Sequence, residues 1–123
     1  MTTRRQQFGR KAEAIAMSRL KQAGYKIIDQ NFRTRIGEID IIAKDGPTIV
    51  FVEVKARRTS RYGHPKQAVT PAKQRKISMV ALEYLKSTGQ NTAKARFDVV
   101  AVTAMSYDPK IEIIKNAFEL AYP

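Results

Sequence analysis

The run Thr48-Ile-Val-Phe-Val-Glu-Val-Lys55 constrains this chain more than any other stretch. Both of its faces are mostly apolar, the pattern of a central strand covered on both sides rather than of a strand with one wet face. Yet the same run carries Glu53 and Lys55, two positions apart and therefore on one face of the strand. Taking such charges out of water costs several kcal/mol per ion before any pairing. A fold that needed only packing would place Val or Thr there.

The flanking sequence supplies the rest of a mixed sheet. Phe8, Ala12, Ile15, Ala16, Leu20 and Ala23 recur at helical spacing over residues 4–23, and Gly24 is a natural stop. Residues 25–34 and 36–44 read as two strands of a hairpin turning at Arg35-Ile36-Gly37. A second turn follows at residues 44–47. After the loop over 57–67, Thr70-Pro71 resembles an N-cap followed by proline at the first helical position. The helix it opens carries Ile77, Val80, Ala81, Tyr84 and Leu85 on one face and ends near Gly89. Residues 96–103 form a fourth, buried strand and 110–114 a short fifth. We expect one α/β (α+β) domain over 1–123, in the order α-β-β-β-α-β-β, with a right-handed crossover through the second helix.

Charge narrows the function. Lys and Arg number 23 against 11 acidic residues, a formal charge of +12 in a chain that is 43% apolar and so able to fold. In a folded domain that excess is a footprint for a polyanion, nucleic acid first. No basic amphipathic helix, spanning segment or lipidation signal speaks for a membrane. The basic N-terminal stretch lacks a continuous apolar run, so no secretory signal is expected and the cytoplasm is the default location. With no cysteine and one histidine, His64, a metal here must be held mainly by oxygen, which points to Mg or Mn.

Asp40 precedes Glu53 with positions 41–52 between them, and a tight turn near Gly46 would set their two strands side by side. Asp40, Glu53 and Lys55 would then converge near one end of the sheet. Two carboxylates can hold a divalent ion against a phosphodiester, and a lysine beside them can neutralise charge developing on phosphate oxygens. The bland alternative is a structural ion pair of Glu53 and Lys55 with Asp40 nearby by chance. Alternation places Glu38 on the face of Asp40, where it could assist the metal shell or stand as a rim charge.

Asp40, the twelve-residue gap and Glu53-Val54-Lys55 resemble the PD-(D/E)XK nuclease signature, and more narrowly the archaeal-type Holliday-junction resolvases. The strings GEIDIIAKDG, IVFVEVKAR, VTPAKQRKI and RFDVVAV are closer still to the small YraN-like family of predicted nucleases, over residues 9–118. Ile39 stands where the superfamily carries its proline. The resemblance implies a restriction-endonuclease-like core and a metal-dependent endonuclease acting on DNA, including branched or junction DNA. It implies Asp40 and Glu53 as metal ligands, the Val54 carbonyl as a third, and Lys55 as the catalytic lysine. The resolvase branch also carries a glutamate on its first helix, and Glu13 stands at the matching place. Gln67 stands where related nucleases have a polar residue supporting the lysine, and such enzymes often form homodimers.

Residues 54–82 contain no acidic side chain, and we expect Arg57, Arg58, Arg61, Lys66 and Lys73 to contact backbone phosphates. Arg4, Arg5, Arg10, Lys11, Arg33 and Arg35 extend the basic surface from the other side. Tyr62 either stacks on a base or packs on its loop, and His64 is a phosphate contact or a bystander. Asp98, in a buried strand, should bond backbone or a basic neighbour. Two further classes stay open: a non-catalytic nucleic-acid-binding domain that keeps the nuclease fold, and an accessory protein docking through its basic face.

Overall fold

The structure is a computed structural model that describes residues 3–59, 69–103 and 108–120. Helix α1 (Arg4–Gln22) is followed by strands β1 (Lys26–Arg33), β2 (Glu38–Asp45) and β3 (Thr48–Arg57). Helix α2 (Pro71–Ser87), β4 (Ala95–Thr103) and β5 (Lys110–Phe118) complete the order. The strands form one sheet in the spatial order β1-β2-β3-β4-β5. Only the β3–β4 pair is parallel; it is the pair joined through α2, and its neighbours are antiparallel. This is the expected mixed sheet of a restriction-endonuclease-like core.

Each helix begins where its cap chemistry dictates. Thr3 forms a capping box with Gln6, and the Thr70 hydroxyl accepts from the Lys73 backbone N–H with Pro71 in the first turn. Gly24, just past α1, has φ +95°, a backbone state that glycine enters at no steric cost. Between β2 and β3 the loop has only two residues, since Asp45 pairs with Thr48. Its first residue, Gly46, has the positive φ (+60°) that primed hairpin turns require.

The two faces of β3 explain its unbroken apolar pattern. Ile49 and Phe51 pack with Ile77, Val80, Ala81, Tyr84 and Leu85 of α2. Val50 and Val52 face the other way, against Ala12, Ala16 and Leu20 of α1. Tyr84 meets Phe32 and Phe51 edge-on, with ring centroids 5.2 and 5.8 Å away.

Two boundaries differ from expectation. Tyr25 lies before β1 rather than in it, buried, with its hydroxyl donating to Asp98 Oδ2 at 2.8 Å. Strand β5 runs on to Phe118 instead of ending near Ile114. Its register slips opposite Phe97 and Val99, and Asn116 takes φ +52° there. The slip turns the Asn116 N–H to Asp98 Oδ1 (2.9 Å), and beyond it Phe118 stacks on Phe97. A polar Lys-Asn pair at the slip hides the continuation from any test of alternation.

Candidate active site

The β2–β3 ladder runs from Asp45–Thr48 up to Ile41–Val52. One residue further the strands part. The Val54 N–H is taken by the Asp40 carboxylate, whose Oδ2 accepts it at 2.8 Å. Strict alternation also fails here, because Ile39 and Ile42 both pack in the α2-side core while Ile41 packs in the α1-side core. Asp40 is thus pinned by backbone at the mouth of the split, and one of its oxygens stays outside that bond.

Glu38, Asp40 and Glu53 line one cleft of about 470 Å³, closed opposite by Thr70, Lys73 and Lys76 at the start of α2. The Glu53 side chain is 7% exposed, and Lys73 Nζ lies 2.7 Å from its Oε1. Burial works against the Lys73 ammonium, but the bond to Glu53 and the charge of Asp40 outweigh it and hold its pKa above the usual lysine value. Asp40 is less well compensated. Burial and the Glu53 charge push it up to about 7, against the opposing pull of the Val54 N–H.

Glu13 approaches from α1. Burial first, then the charge of Glu38, raises its pKa. The Asn31 amide, oriented to donate, reaches Glu38 Oε1 at 2.8 Å and Glu13 Oε1 at 3.0 Å. Asn31 has φ +54°, which asparagine tolerates better than most residues. Asparagine is depleted from strand interiors, so its place inside β1 was the signal that could have marked it. Glu38 also pairs with Arg33 at 3.0 Å.

Glu13, Glu38, Asp40 and Glu53 therefore gather at one end of the sheet. Lys55 is half-buried, two residues beyond Glu53 along β3, and is not in the cleft lining. Lys73, expected only as a phosphate contact, sits inside the site. Arg57 is half-buried at the end of β3, and the Arg58 guanidinium lies 5.4 Å from the centre of the Phe8 ring on α1. Arg61, Tyr62, His64, Lys66 and Gln67 lie outside the described residues.

Among the described residues no three Asp, Glu or His side chains form a ready-made cation shell. The donor set nevertheless suits a hard divalent ion: oxygen ligands only, on a carboxylate pair in which the charge of one raises the pKa of the other. Asp40, Glu53 and the Val54 carbonyl are the groups that would hold it.

A five-stranded mixed sheet with one helix packed on each face is a restriction-endonuclease-like core, and acidic residues gather where its strands β2 and β3 part. The profile described as "Uncharacterised protein family UPF0102" matches residues 12–102, and the chain belongs to that family, the YraN-like group. A UPF0102 protein of Desulfosudis oleivorans is 56% identical over 119 residues, 97% of this chain and 95% of that protein. One from Geobacter sulfurreducens is 56% identical over 115 residues, covering 93% and 90%. One from Rhodococcus jostii is 45% identical over 111 residues, covering 89% and 94%.

Proposed function

We propose that this protein is a metal-dependent endonuclease that hydrolyses phosphodiester bonds in DNA, branched or junction DNA above all, and that it works in the cytoplasm. The observation that carries this reading is the Asp40–Glu53 pair at the split between β2 and β3, with Asp40 fixed by the Val54 N–H. In a chain of net charge +12, an acidic cleft of this kind needs a cation and faces a polyanion. Asp40, Glu53 and the Val54 carbonyl would hold a Mg or Mn ion, which would supply Lewis-acid assistance to phosphodiester hydrolysis. Glu13 approaches the same acidic group from the α1 side, where burial and the charge of Glu38 raise its pKa. Lys55 shares the Glu53 face of β3 and stabilises charge as it develops on the phosphate. No helix of the described residues is long and apolar enough to cross a membrane.

The test is cleavage of branched, flapped, single- and double-stranded substrates with Mg or Mn, using wild type and Lys55→Ala. The variant should cut about 10²-fold more slowly while binding the same substrate with little change, because it loses a transition-state contact. Lys55→Arg should rescue poorly, its guanidinium being larger and planar. A folded Lys55→Ala protein that cuts like wild type overturns this role. Binding by both proteins with no cutting by either supports a non-catalytic nucleic-acid-binding domain, a reading that the Lys73–Glu53 ion pair also suits.

Affinity itself should fall steeply with salt, by roughly one unit of log–log slope per phosphate neutralised. Replacing Arg57 and Arg58 with Ala should weaken binding and flatten that slope. An unchanged slope would move the binding face elsewhere, the Arg5, Arg10 and Arg33 groove beside Glu13 being the next candidate.

A further inference from the structure

Lys73 and Glu53 are unequal partners. The carboxylate is almost wholly buried, whereas the Lys73 side chain is 42% exposed. Buried and unpaired, a carboxylate is costly, so Glu53 requires a cation beside it. An ammonium at the rim of an open cleft can leave that position for water once another cation takes its place beside Glu53. Its place is set from outside the acidic cluster: Thr70 and Pro71 determine where α2 begins, and Lys73 stands three residues after the cap. From there its charge also acts on Asp40 and Glu38. One cation therefore serves Glu53, Asp40 and Glu38, in the cleft where a divalent ion would have to sit.

We infer that Lys73 is a built-in, displaceable counter-cation of the Asp40–Glu53 pair, which a divalent ion must dislodge from Glu53 before it can bind. This rests on the metal-dependent reading above and adds a competition to it. Lys73 is a positioning residue in the metal-free protein: it keeps Glu53 seated and uncompetitive for stray cations. Its removal should therefore tighten metal binding. A purely structural lysine predicts the opposite sign, because losing it would loosen Glu53 and weaken the site.

The experiment is a titration of the full chain with Mn²⁺ alone, free aqua ion being counted by its electron paramagnetic resonance signal. Lys73→Ala should bind about tenfold more tightly than wild type, the scale on which losing one competing ion pair with a buried partner acts. Lys73→Arg, which keeps the cation, should stay close to wild type. Circular dichroism checks folding; should the alanine variant unfold, Lys73→Gln keeps much of the stem and can still donate to Glu53 without charge. Equal or weaker binding by the neutral variants, with wild type binding normally, overturns the inference and leaves the metal reading standing. Absence of Mn²⁺ binding in wild type and variants alike overturns both together.

Discussion

The Asp40→Asn protein is expected to lose cleavage by about 10³-fold or more, since it removes a metal ligand at the centre of the proposed chemistry. The same change should make the metal-free protein more heat-stable. Asparagine can still accept the Val54 N–H, so the backbone pin survives, but the ionised form beside Glu53 is gone. The sign follows from the Asp40 pKa, raised from 3.8 to about 7 in the fold. Between those values the unfolded chain has released its proton and the folded chain still holds one. Stability of the metal-free wild type should therefore fall as pH rises from about 4 to about 7, and Asp40→Asn should flatten that fall. Above neutrality we expect a gain of about 1–2 kcal/mol, or roughly 5 °C in Tm. Calorimetry at pH 5 and pH 8, with single-turnover cleavage, checks both halves. A variant that cuts normally would sink the nuclease reading; one that melts early would show that Asp40 is a structural anchor.

The second large effect lies on β4, where Asp98 stands opposite Val52 of β3, one register step from Glu53. Asp98 is wholly buried and accepts from the Tyr25 hydroxyl, the Arg96 guanidinium and the Asn116 N–H. Arg96 is tied in turn to Asp45 at 2.7 Å, and its guanidinium lies 5.7 Å from the centre of the Tyr25 ring. Burial and the Asp98 carboxylate push the Tyr25 phenol up to about 12, so it remains a donor at neutral pH. Replacing Asp98 with Ala removes the acceptor of the Tyr25 hydroxyl, the Asn116 N–H and Arg96 Nε at once, while Asp45 still holds the other side of the guanidinium. The expected cost is about 3–5 kcal/mol, seen as a drop in the urea midpoint and a Tm loss of more than roughly 10 °C. Asp98→Asn should cost less because it retains an acceptor. The residual folded fraction should cut at the wild-type rate per molecule; a specific loss of cleavage would place Asp98 in the chemistry instead.

Both outcomes bear on how much a reader of the chain alone could have known. The central strand was legible because a residue pattern apolar on both faces has few other homes, and both helices were legible from their spacing and caps. The pairing of Asp40 with the region of Glu53 was legible too. A two-residue turn at Gly46-Pro47 leaves little freedom in the count between them. Asp98 was expected to bond backbone or a basic neighbour, and it does both.

Less could be read where contacts depend on how elements lean on one another. Alternation placed Glu38 with Asp40 on one strand face and both do line one cleft, but the break in alternation past Asp40, where its carboxylate replaces a rung of the ladder, was not legible. Asn31 drew no separate reading inside the first strand, although its left-handed backbone lets it bridge Glu13 and Glu38. The continuation of β5 was concealed by a bulge whose purpose is visible only once Asp98 stands opposite it.

Period, turn length and cap chemistry are local properties, written within a few residues, and they sufficed for the elements, their order and the carboxylate pair on adjacent strands. The partner of Glu53 lies 20 residues downstream on a helix that crosses the sheet, and Lys73 reaches it only because α2 starts at Thr70 and packs through Ile77 and Val80. Such a contact is decided by the crossing of a helix over a sheet, which depends on core side chains from five other elements at once. No local pattern encodes that angle, so which cation stands beside Glu53 was settled by tertiary packing alone.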